Sequence, residues 1–498
     1  MKKLILALMA VFLMSGVAMA ATTLEIKGQF KVLPEWNNFG RGAGVLPNYF
    51  RGPLTPGGGG VATVPGIPSS GNVFTDQRAR LYFNVKSNEN LGGTVALEMD
   101  SYWGNTSYDN GRNTGGGLGA DSTNLELKNS YMWFKMGELK ITGGIQTWGD
   151  DMVGIFAGGA DMAGFRADYG LSKSSSLSTG VFTWWQRQFS SSTATTPMKN
   201  AWQDSVYFIP VTFKQQLGSG SLSLFAYTIQ DSSHYQAIAA TNLGRRPNPN
   251  PAAPGTNFAT TSAVGANYDT ADLYYTGLNY GGKVGNVSYY LMGAYNFGTF
   301  KSVGSLGAAT NFDAKVSAFA ANAKVDVKIG DGKLRINGLY VSGEDSSDKT
   351  KFKGFVTADQ YAGANTMTLL QDDLVIVLNN TDAISNVTVL ANDVNNNGDG
   401  VQIAYGAYDY NLSPKLNAKA VVGYAAADKQ GDTTRRGKSM GTEYNVQLRY
   451  KFDENLTIAG IGSYAKIGDY FKYDATTTTA AFEPDNAYKI LLKFMYSF

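Results

Sequence analysis

The residues best suited to chemistry in this chain are charged side chains that each lie two positions from another charged side chain. We single out ten of them: Arg78, Arg80, Glu98, Asp100, Glu126, Lys128, Arg166, Asp168, Arg335 and Arg449. A spacing of two places both side chains on one face of a β-strand. Charged side chains on one solvent-exposed face of a sheet can orient ions and polar solutes by their electric field. They can also pair with one another across strands.

Residues for catalysis and metal binding are scarce. The 498 residues include no cysteine and one histidine, His234. The lack of cysteine excludes disulfides, thiolate metal sites and covalently attached haem. A single histidine excludes multi-histidine zinc sites and leaves little material for a Ser-His-Asp triad. The 42 basic and 40 acidic residues exclude a broad basic surface of the kind that binds nucleic acid. We therefore expect neither an enzyme nor a nucleic-acid-binding protein.

Residues 1–20 are typical of a cleavable signal peptide. Lys2 and Lys3 precede an apolar stretch from Leu4 to Met14, and Ala18-Met19-Ala20 supplies the small residues of a cleavage site. No later segment has the roughly 18 consecutive apolar residues of a membrane-spanning helix. We expect residues 21–498 to be exported as one domain that enters a membrane only as strands.

The elements that must position the charged residues are strands of about ten residues with period-two alternation. From Gly441 to Phe452, for example, aromatic and aliphatic residues alternate with polar ones. We predict eighteen strands, at 23–33, 75–86, 93–103, 124–136, 139–148, 161–170, 176–188, 205–216, 221–231, 271–281, 286–297, 313–328, 333–343, 401–411, 416–427, 441–452, 456–467 and 486–498.

The connections between the predicted strands alternate between short and long. Gly137-Glu138 is short, whereas Pro34 to Phe74 and Glu344 to Gly400 are long. Transmembrane barrels sort their connections in this way, with brief periplasmic turns and long extracellular loops, and bacterial barrels have an even number of strands. Because hydrocarbon offers the backbone no hydrogen bonds, a chain without apolar helices crosses it only as a closed sheet. The predicted fold is an all-β, antiparallel transmembrane β-barrel.

Two regions resemble known outer-membrane proteins. The alternating Phe494, Tyr496 and Phe498 are similar to the C-terminal strand by which the barrel assembly machinery recognises its substrates. Residues 140–150, together with 162–169, resemble the strand–loop–strand of Gram-negative porins and alginate-export barrels. The resemblance implies an outer-membrane porin that contacts lipid, passes small hydrophilic solutes by passive diffusion and forms a homotrimer.

In a wide barrel, function depends on the charges of the lumen and on loops that fold inward. Alternation places the ten charged residues inward. Arg78 and Arg80 are the first candidates to contact solute, because two like charges on one wall leave a net positive potential. The related families often carry an arginine where Gly144 stands here, so that charge does not carry over to this chain.

Two external connections are candidates for narrowing the lumen. By the same resemblance, the loop from Gly149 to Ala160, with Asp150 and Asp151, folds inward as a constriction. The connection 344–400 contains an apolar run that is too hydrophobic to stay in water. We expect this connection to pack inside the mouth of the barrel or against a neighbouring subunit.

One segment of that connection matches part of a calcium loop. Asp393, Asn395, Asn397 and Asp399 have the spacing of calcium ligands, and Gly398 stands nearby for a sharp turn. However, Ala404 occupies the place of the bidentate glutamate, and runs of Asn, Gly and Asp are ordinary in turns. We favour a structural turn here and expect no cofactor, with calcium as the alternative.

Two other functions fit a barrel of this kind. The first is an export conduit for an anionic polysaccharide, which requires a continuous basic lumen, whereas the inward charges are nearly balanced. The second is a sleeve around exported electron carriers, in which the haem motifs lie on the partner.

Overall fold

The computed structural model describes residues 22–38, 72–104, 116–117, 123, 125–186, 205–232, 270–303, 312–344, 350–358, 373–377, 384, 394–430, 435–472, 474, 481 and 483–498. The predictions for the signal peptide, His234 and Asp393 fall outside these ranges.

The described residues contain nineteen strands: β1 (Thr23–Asn37), β2 (Asn72–Asn88), β3 (Leu91–Tyr102), β4 (Leu125–Met136), β5 (Leu139–Trp148), β6 (Ala160–Gly170), β7 (Ser175–Gln186), β8 (Ser205–Leu217), β9 (Gly220–Asp231), β10 (Thr270–Val284), β11 (Val287–Val303), β12 (Phe312–Ile329), β13 (Gly332–Val341), β14 (Lys351–Phe352), β15 (Val401–Asn411), β16 (Leu416–Ala426), β17 (Ser439–Lys451), β18 (Leu456–Ile467) and β19 (Ala487–Ser497). Single-turn 3₁₀ helices lie at Asn396–Gly398 and Asp469–Phe471. Within the described ranges, no helix has the length and hydrophobicity needed to span a membrane.

Eighteen of these strands form one closed antiparallel wall. Each pairs with its neighbours in sequence, β13 pairs with β15, and β1 pairs with both β2 and β19. The two-residue β14 lies outside this order and runs parallel to β12. The prediction of an antiparallel barrel is confirmed, with all eighteen predicted strands in the wall.

The two faces of the wall differ in polarity. On β1, Leu24 and Ile26 point outward and are 57% and 49% exposed, and Val446 on β17 is 60% exposed. Charged side chains such as Glu98 and Asp100 on β3 lie on the inner face and are buried. Because closure gives every strand two partners, the wall satisfies its backbone internally, and lipid contacts its apolar face.

The first strand is longer than its hydrophobic pattern predicts, because polar pairs extend it. Pro34 has no N–H to donate, and the β1–β19 register is interrupted between Val32 and Glu35. Beyond the proline, Asn37 Nδ2 donates to Glu35 Oε1 at 2.7 Å, and Lys489 Nζ lies 3.2 Å from Glu35 Oε2. The strand therefore continues for four residues past the predicted end at 33.

Candidate functional site

A ladder of ion pairs lines the inner wall where β2 meets β3. Arg78 Nε and Nη2 donate to the two carboxylate oxygens of Asp100, each at 2.7 Å. Arg80 pairs with one oxygen of Glu98, and the other lies 3.4 Å from Arg78 Nη2. The net positive potential expected from Arg78 and Arg80 is therefore wrong for this wall, because two buried carboxylates balance the two guanidinium groups.

Removing one sign of charge from this ladder should change ion selectivity. We expect R78Q/R80Q to shift the reversal potential in a KCl gradient toward cations, because Glu98 and Asp100 then carry uncompensated charge. The E98Q/D100N variant should shift it toward anions. Planar-bilayer recording measures both, with the exposed rim residue Asp474 changed to Asn as the matched control. A shift of the same sign in both double variants would contradict the prediction.

The other predicted pairs lie on β4 and β6. Glu126 lies in register with the ladder, but a β-bulge at Lys128 interrupts the alternation of β4. Lys128 Nζ binds Asp161 Oδ2 at 2.7 Å. On β6, Arg166 Nη2 lies 2.8 Å from Asp168 Oδ1, so these two residues pair with each other. Both basic side chains thus have acidic partners on β6.

The remaining two predicted residues lie on β13 and β17. Arg335 Nε and Nη2 donate to Asp326 on β12 at 2.8 and 3.1 Å, and its Nη1 donates to Asp373 Oδ2 at 2.8 Å. Since Asp373 belongs to the connection 344–400, Arg335 binds that connection to the wall. Arg449 is in register with Asn417 of β16. It lies on the inner face of β17.

The loop between β5 and β6 folds against the inner wall and is organised by Asp150. One carboxylate oxygen accepts the N–H groups of Met152 and Gly154 at 2.9 and 2.6 Å. The other accepts those of Phe156 and Ala157 at 2.7 and 2.6 Å. Burial raises the pKa of Asp150 to about 6, against the opposing effect of the four N–H donors. At pH 7 this carboxyl is mostly ionised.

Asp151 attaches the same loop to β8, β9 and β10. Its carboxylate lies 2.8 Å from Lys214 Nζ and accepts the Thr212 hydroxyl at 2.8 Å. Its carbonyl accepts the Asn279 amide at 2.5 Å, and its N–H donates to the Tyr227 hydroxyl at 2.8 Å. The structure therefore places both aspartates of the predicted constriction loop inside the barrel. Its role in setting the narrowest width stays a prediction.

An aromatic cluster on the inner wall receives the tip of this loop. Phe156 is fully buried, and its ring centroid lies 4.8 Å from Tyr275, 5.2 Å from Phe208 and 6.3 Å from Trp148. These wall residues occupy inward positions of β5, β8 and β10, where a wet lumen would favour polar side chains. These three positions are aromatic because they pack against Phe156 of the loop and not against water.

Gly144, at the position where related families often carry arginine, has a backbone conformation that excludes a side chain. Its φ is +127°, and a Cβ there would lie 2.2 Å from the carbonyl oxygen of Ser130 on β4. A positive φ of this kind is strained for residues with a Cβ. The backbone of this strand at position 144 therefore accommodates glycine and not arginine.

Introducing that arginine should destabilise the barrel. We expect G144R to cost roughly 2–3 kcal/mol, because it adds backbone strain to a steric clash. Gly293 is the matched control, since an added Cβ there meets no atom within 4 Å and G293A should unfold like the unchanged protein. The temperature at which the folded band disappears in heat-modifiability gels measures the effect. Equal temperatures for both variants would contradict the clash.

Beyond β14, described parts of the connection 344–400 contact the inside of the barrel. Val356 N–H donates to Asn296 Oδ1 on β11 at 3.2 Å, and Ala358 N–H donates to the carbonyl of Phe156 at 2.9 Å. The second contact joins this connection to the β5–β6 loop. On another part of the inner face, at β2, Arg78 Nη2 donates to the carbonyl of Ile384 at 3.0 Å. The contacts observed are thus with the inside of the barrel, one of the two locations expected.

The apolar run of this connection is held by one buried carboxylate on β17. Glu443 accepts the backbone N–H groups of Val375, Ile376 and Val377 at 2.6, 3.0 and 2.8 Å. Leu374 and the three residues after it are buried. We call residues 373–377 the inner strap. It lies against β13, β15, β16 and β17.

A polar cavity of about 660 Å³ opens at the end of the barrel that carries the short turns. Its lining includes Lys283, Lys328, Lys333, Asp326 and Asp409. Because Asp326 also holds Arg335, the inner end of this cavity adjoins the attachment of the inner strap.

The calcium candidate is a turn in its described part. Asn395 Oδ1 accepts the N–H of Gly398 as the cap of the 3₁₀ helix, and Asp399 Oδ2 accepts the Tyr470 hydroxyl at 2.7 Å. The side chains of Asp393 and Asn397 lie outside the description. Among the described residues, no group of three or more His, Cys, Asp or Glu is placed to hold a metal. Calcium binding stays a prediction.

The proposed assembly signal lies on the outer face at the seam of the barrel. The N–H of Phe498 donates to the carbonyl of Gly28 at 3.1 Å, and the Gly28 N–H donates back at 2.9 Å. The Phe498 ring stacks on Phe30 with centroids 6.0 Å apart, and Tyr496 stacks on the same ring at 6.4 Å. Phe494 follows at the next outward position. Recognition of these residues by the assembly machinery stays a prediction.

Comparison with known proteins decides the fold. No family model and no curated protein matches the chain. Over 95% of its length, the chain is similar to OpdQ of Pseudomonas aeruginosa, covering 97% of that protein with a TM-score of 0.51 and 12% identity. It is similar over 95% of its length to a BenF-like porin from Pseudomonas fluorescens Pf-5, covering 98% of it with a TM-score of 0.50 and 11% identity. The chain has the fold of an outer-membrane porin.

OccK9 (OpdG) of Pseudomonas aeruginosa gives the same result, with a TM-score of 0.51, 12% identity and 95% and 98% of the two chains covered. The resemblance to porins is confirmed at the level of the fold. Identities this low transfer no residue roles, so the candidate site of this chain rests on its own geometry.

Several residues of the lumen were not singled out from the sequence. Asp373 and Glu443 hold the inner strap, and Lys419 on β16 lies 2.6 Å from Asp373 Oδ1. Alternation marks Lys419 and Glu443 as inward, since both lie two residues from polar positions of their strands. The signal for Asp373 was its position next to the apolar run, which suggested burial.

Proposed function

We propose that this protein is a porin of the Gram-negative outer membrane that forms a water-filled channel for passive diffusion of small hydrophilic solutes or ions. The observation that carries the proposal is the closed wall of eighteen strands with an apolar outside and a charged inside. Such a wall is stable in lipid and offers polar solutes a path that hydrocarbon denies them.

The inward loops favour selective diffusion over the alternatives. An export conduit for an anionic polysaccharide and a sleeve around electron carriers both require a wide lumen. Here the β5–β6 loop lies against β8–β10 and the inner strap against β13 and β15–β17, and the contact between Ala358 and Phe156 joins the two connections. Segments that fold inward from two connections leave less room for a polysaccharide or a protein partner, which supports the proposal of a channel for small solutes. We also propose that the protein has no enzymatic activity.

The partners follow from the same proposal. The barrel contacts outer-membrane lipid through its apolar face, and the barrel assembly machinery inserts it through Phe494, Tyr496 and Phe498. We propose the homotrimer as its assembly state, which sedimentation of the detergent-solubilised protein tests.

Planar-bilayer recording with the purified, folded protein tests the channel. We expect stepwise conductance increases in molar KCl, and swelling of proteoliposomes in sugars and amino acids that falls steeply with solute size. Boiled protein, whose gel mobility shows that it is unfolded, is the control. Folded protein that inserts without conductance would overturn the proposal.

A further inference from the structure

The inner strap begins at a carboxylate that is fully buried against the wall. Asp373 is 0% exposed, and its two oxygens meet three side chains on neighbouring strands. Arg335 Nη1 of β13 donates at 2.8 Å, the Tyr405 hydroxyl of β15 donates at 2.7 Å, and Lys419 Nζ of β16 lies at 2.6 Å. Three strands of the wall thus converge on one carboxylate of a loop.

One of the three wall side chains, Arg335, is held in place independently of the loop. Arg335 is held by two hydrogen bonds to Asp326 on β12, which fix the plane of its guanidinium group. A fixed guanidinium, an ammonium and a hydroxyl together supply the donors that an oxyanion requires. With Asp326 counted, the wall side of the site retains one positive charge, so it favours an anion.

The cavity at the short-turn end adjoins the wall side of this site through Asp326. The cavity of about 660 Å³ is lined by Asp326 and Lys333, and Asp326 contacts Arg335 directly. Its lining carries three lysines, Lys283, Lys328 and Lys333, and three aspartates, Asp326, Asp331 and Asp409, so it is a polar space whose formal charges balance.

The position of Asp373 is linked to that of the four residues that follow it in the inner strap. The next four residues are apolar and buried, and three of their N–H groups bind Glu443. Arg335 and Lys419 lower the pKa of Asp373 against the opposing effect of burial, which raises it, so the carboxyl is ionised at neutral pH. Its attachment is therefore an ion-pair contact, of the kind that a competing anion weakens.

We propose that Arg335, Tyr405 and Lys419 form an anion-binding site of the lumen that Asp373 occupies from within, and that a small carboxylate solute displaces Asp373 and releases residues 373–377 from the wall. This rests on the proposed function, because the solute reaches the site through the lumen. The inner strap is then a latch that narrows the channel while its own carboxylate occupies the site, and that widens the channel when an external carboxylate takes that place.

Cysteine labelling tests the latch without measuring conductance. The chain has no cysteine, so V375C introduces a single thiol on the inner strap, where Val375 is buried. We expect slow labelling by a membrane-impermeant maleimide–polyethylene glycol, and labelling about tenfold faster in V375C/D373N, because the buried ion pair is lost. V375C/D373E keeps the charge and should label slowly. S219C, on the exposed turn between β8 and β9, is the control that labels at one rate in every background.

Sodium acetate, compared with sodium chloride at equal ionic strength, tests the ligand. Acetate should accelerate labelling of V375C in a saturable way and leave V375C/D373N unchanged, and K419Q should weaken its effect. Equal labelling of V375C with and without D373N would overturn the latch, and a V375C rate that ignores acetate would overturn displacement by carboxylates. Labelling that responds as expected in a protein without conductance would leave the latch standing and remove the proposed function instead.

Discussion

Replacing Asp150 with alanine is expected to release the β5–β6 loop from the barrel wall. The carboxylate accepts four backbone N–H groups, from Met152, Gly154, Phe156 and Ala157. Leaving buried donors without an acceptor costs roughly 1–3 kcal/mol for each group. Even after partial relaxation we expect docking of the loop to weaken by about 3 kcal/mol or more. Phe156 should then leave its aromatic pocket, and the lumen should widen on the side of β8–β10.

Single-channel recording of D150A checks this expectation. We expect larger conductance with more frequent fluctuations than in the unchanged protein, together with new protease cleavage within residues 149–159. Asp474, whose side chain is 70% exposed at the rim, provides the matched control D474A. Conductance and cleavage of D150A that equal those of D474A would show that the loop does not depend on this carboxylate.

Replacing Glu443 with glutamine should release the inner strap by a second route. The substitution keeps the size of the side chain but leaves one acceptor oxygen for the three N–H groups of Val375, Ile376 and Val377, and it turns an amide N–H₂ toward donors. Charge-assisted hydrogen bonds are about twice as strong as neutral ones. We expect attachment of the strap to weaken by roughly 2–3 kcal/mol, with the wall of eighteen strands intact.

Two measurements separate the strap from the wall in E443Q. Open-channel noise and mean conductance should rise, whereas the temperature of unfolding in heat-modifiability gels should change little, because the ladders of β16–β18 are unaffected. E454Q, in the exposed turn between β17 and β18, is the control with the same chemical change. A large loss of thermal stability with unchanged conductance would show that Glu443 serves the wall and not the strap.

The wall of the barrel was predictable from the sequence because its pattern is local. Alternation with period two depends only on neighbouring residues, and it located all eighteen strands. It failed where a different interaction takes over from hydrophobicity. At the end of β1, Glu35 and Asn37 continue the strand through polar contacts, and at Lys128 a bulge shifts the inward and outward positions.

The contents of the lumen were predictable only in outline. The apolar run after Asp373 indicated burial, and the family resemblance directed attention to Asp150 and Asp151. The partners of these residues are far away in sequence: Glu443 lies 66–68 residues from the N–H groups that it accepts, and Arg78 lies 306 residues from Ile384. No pattern within a single strand specifies such pairs. For the same reason, the pairing of Arg78 and Arg80 with carboxylates of the next strand could be predicted only with knowledge of the register between β2 and β3.

The location of the inner strap has a consequence at the cell surface. Antibodies and bacteriophages that approach from outside bind the parts of a porin that project from the membrane. The strap, although it belongs to an external connection, is enclosed by the wall and presents no epitope to them. A substitution of Asp373 or of the four residues after it therefore alters no surface that an antibody contacts from outside.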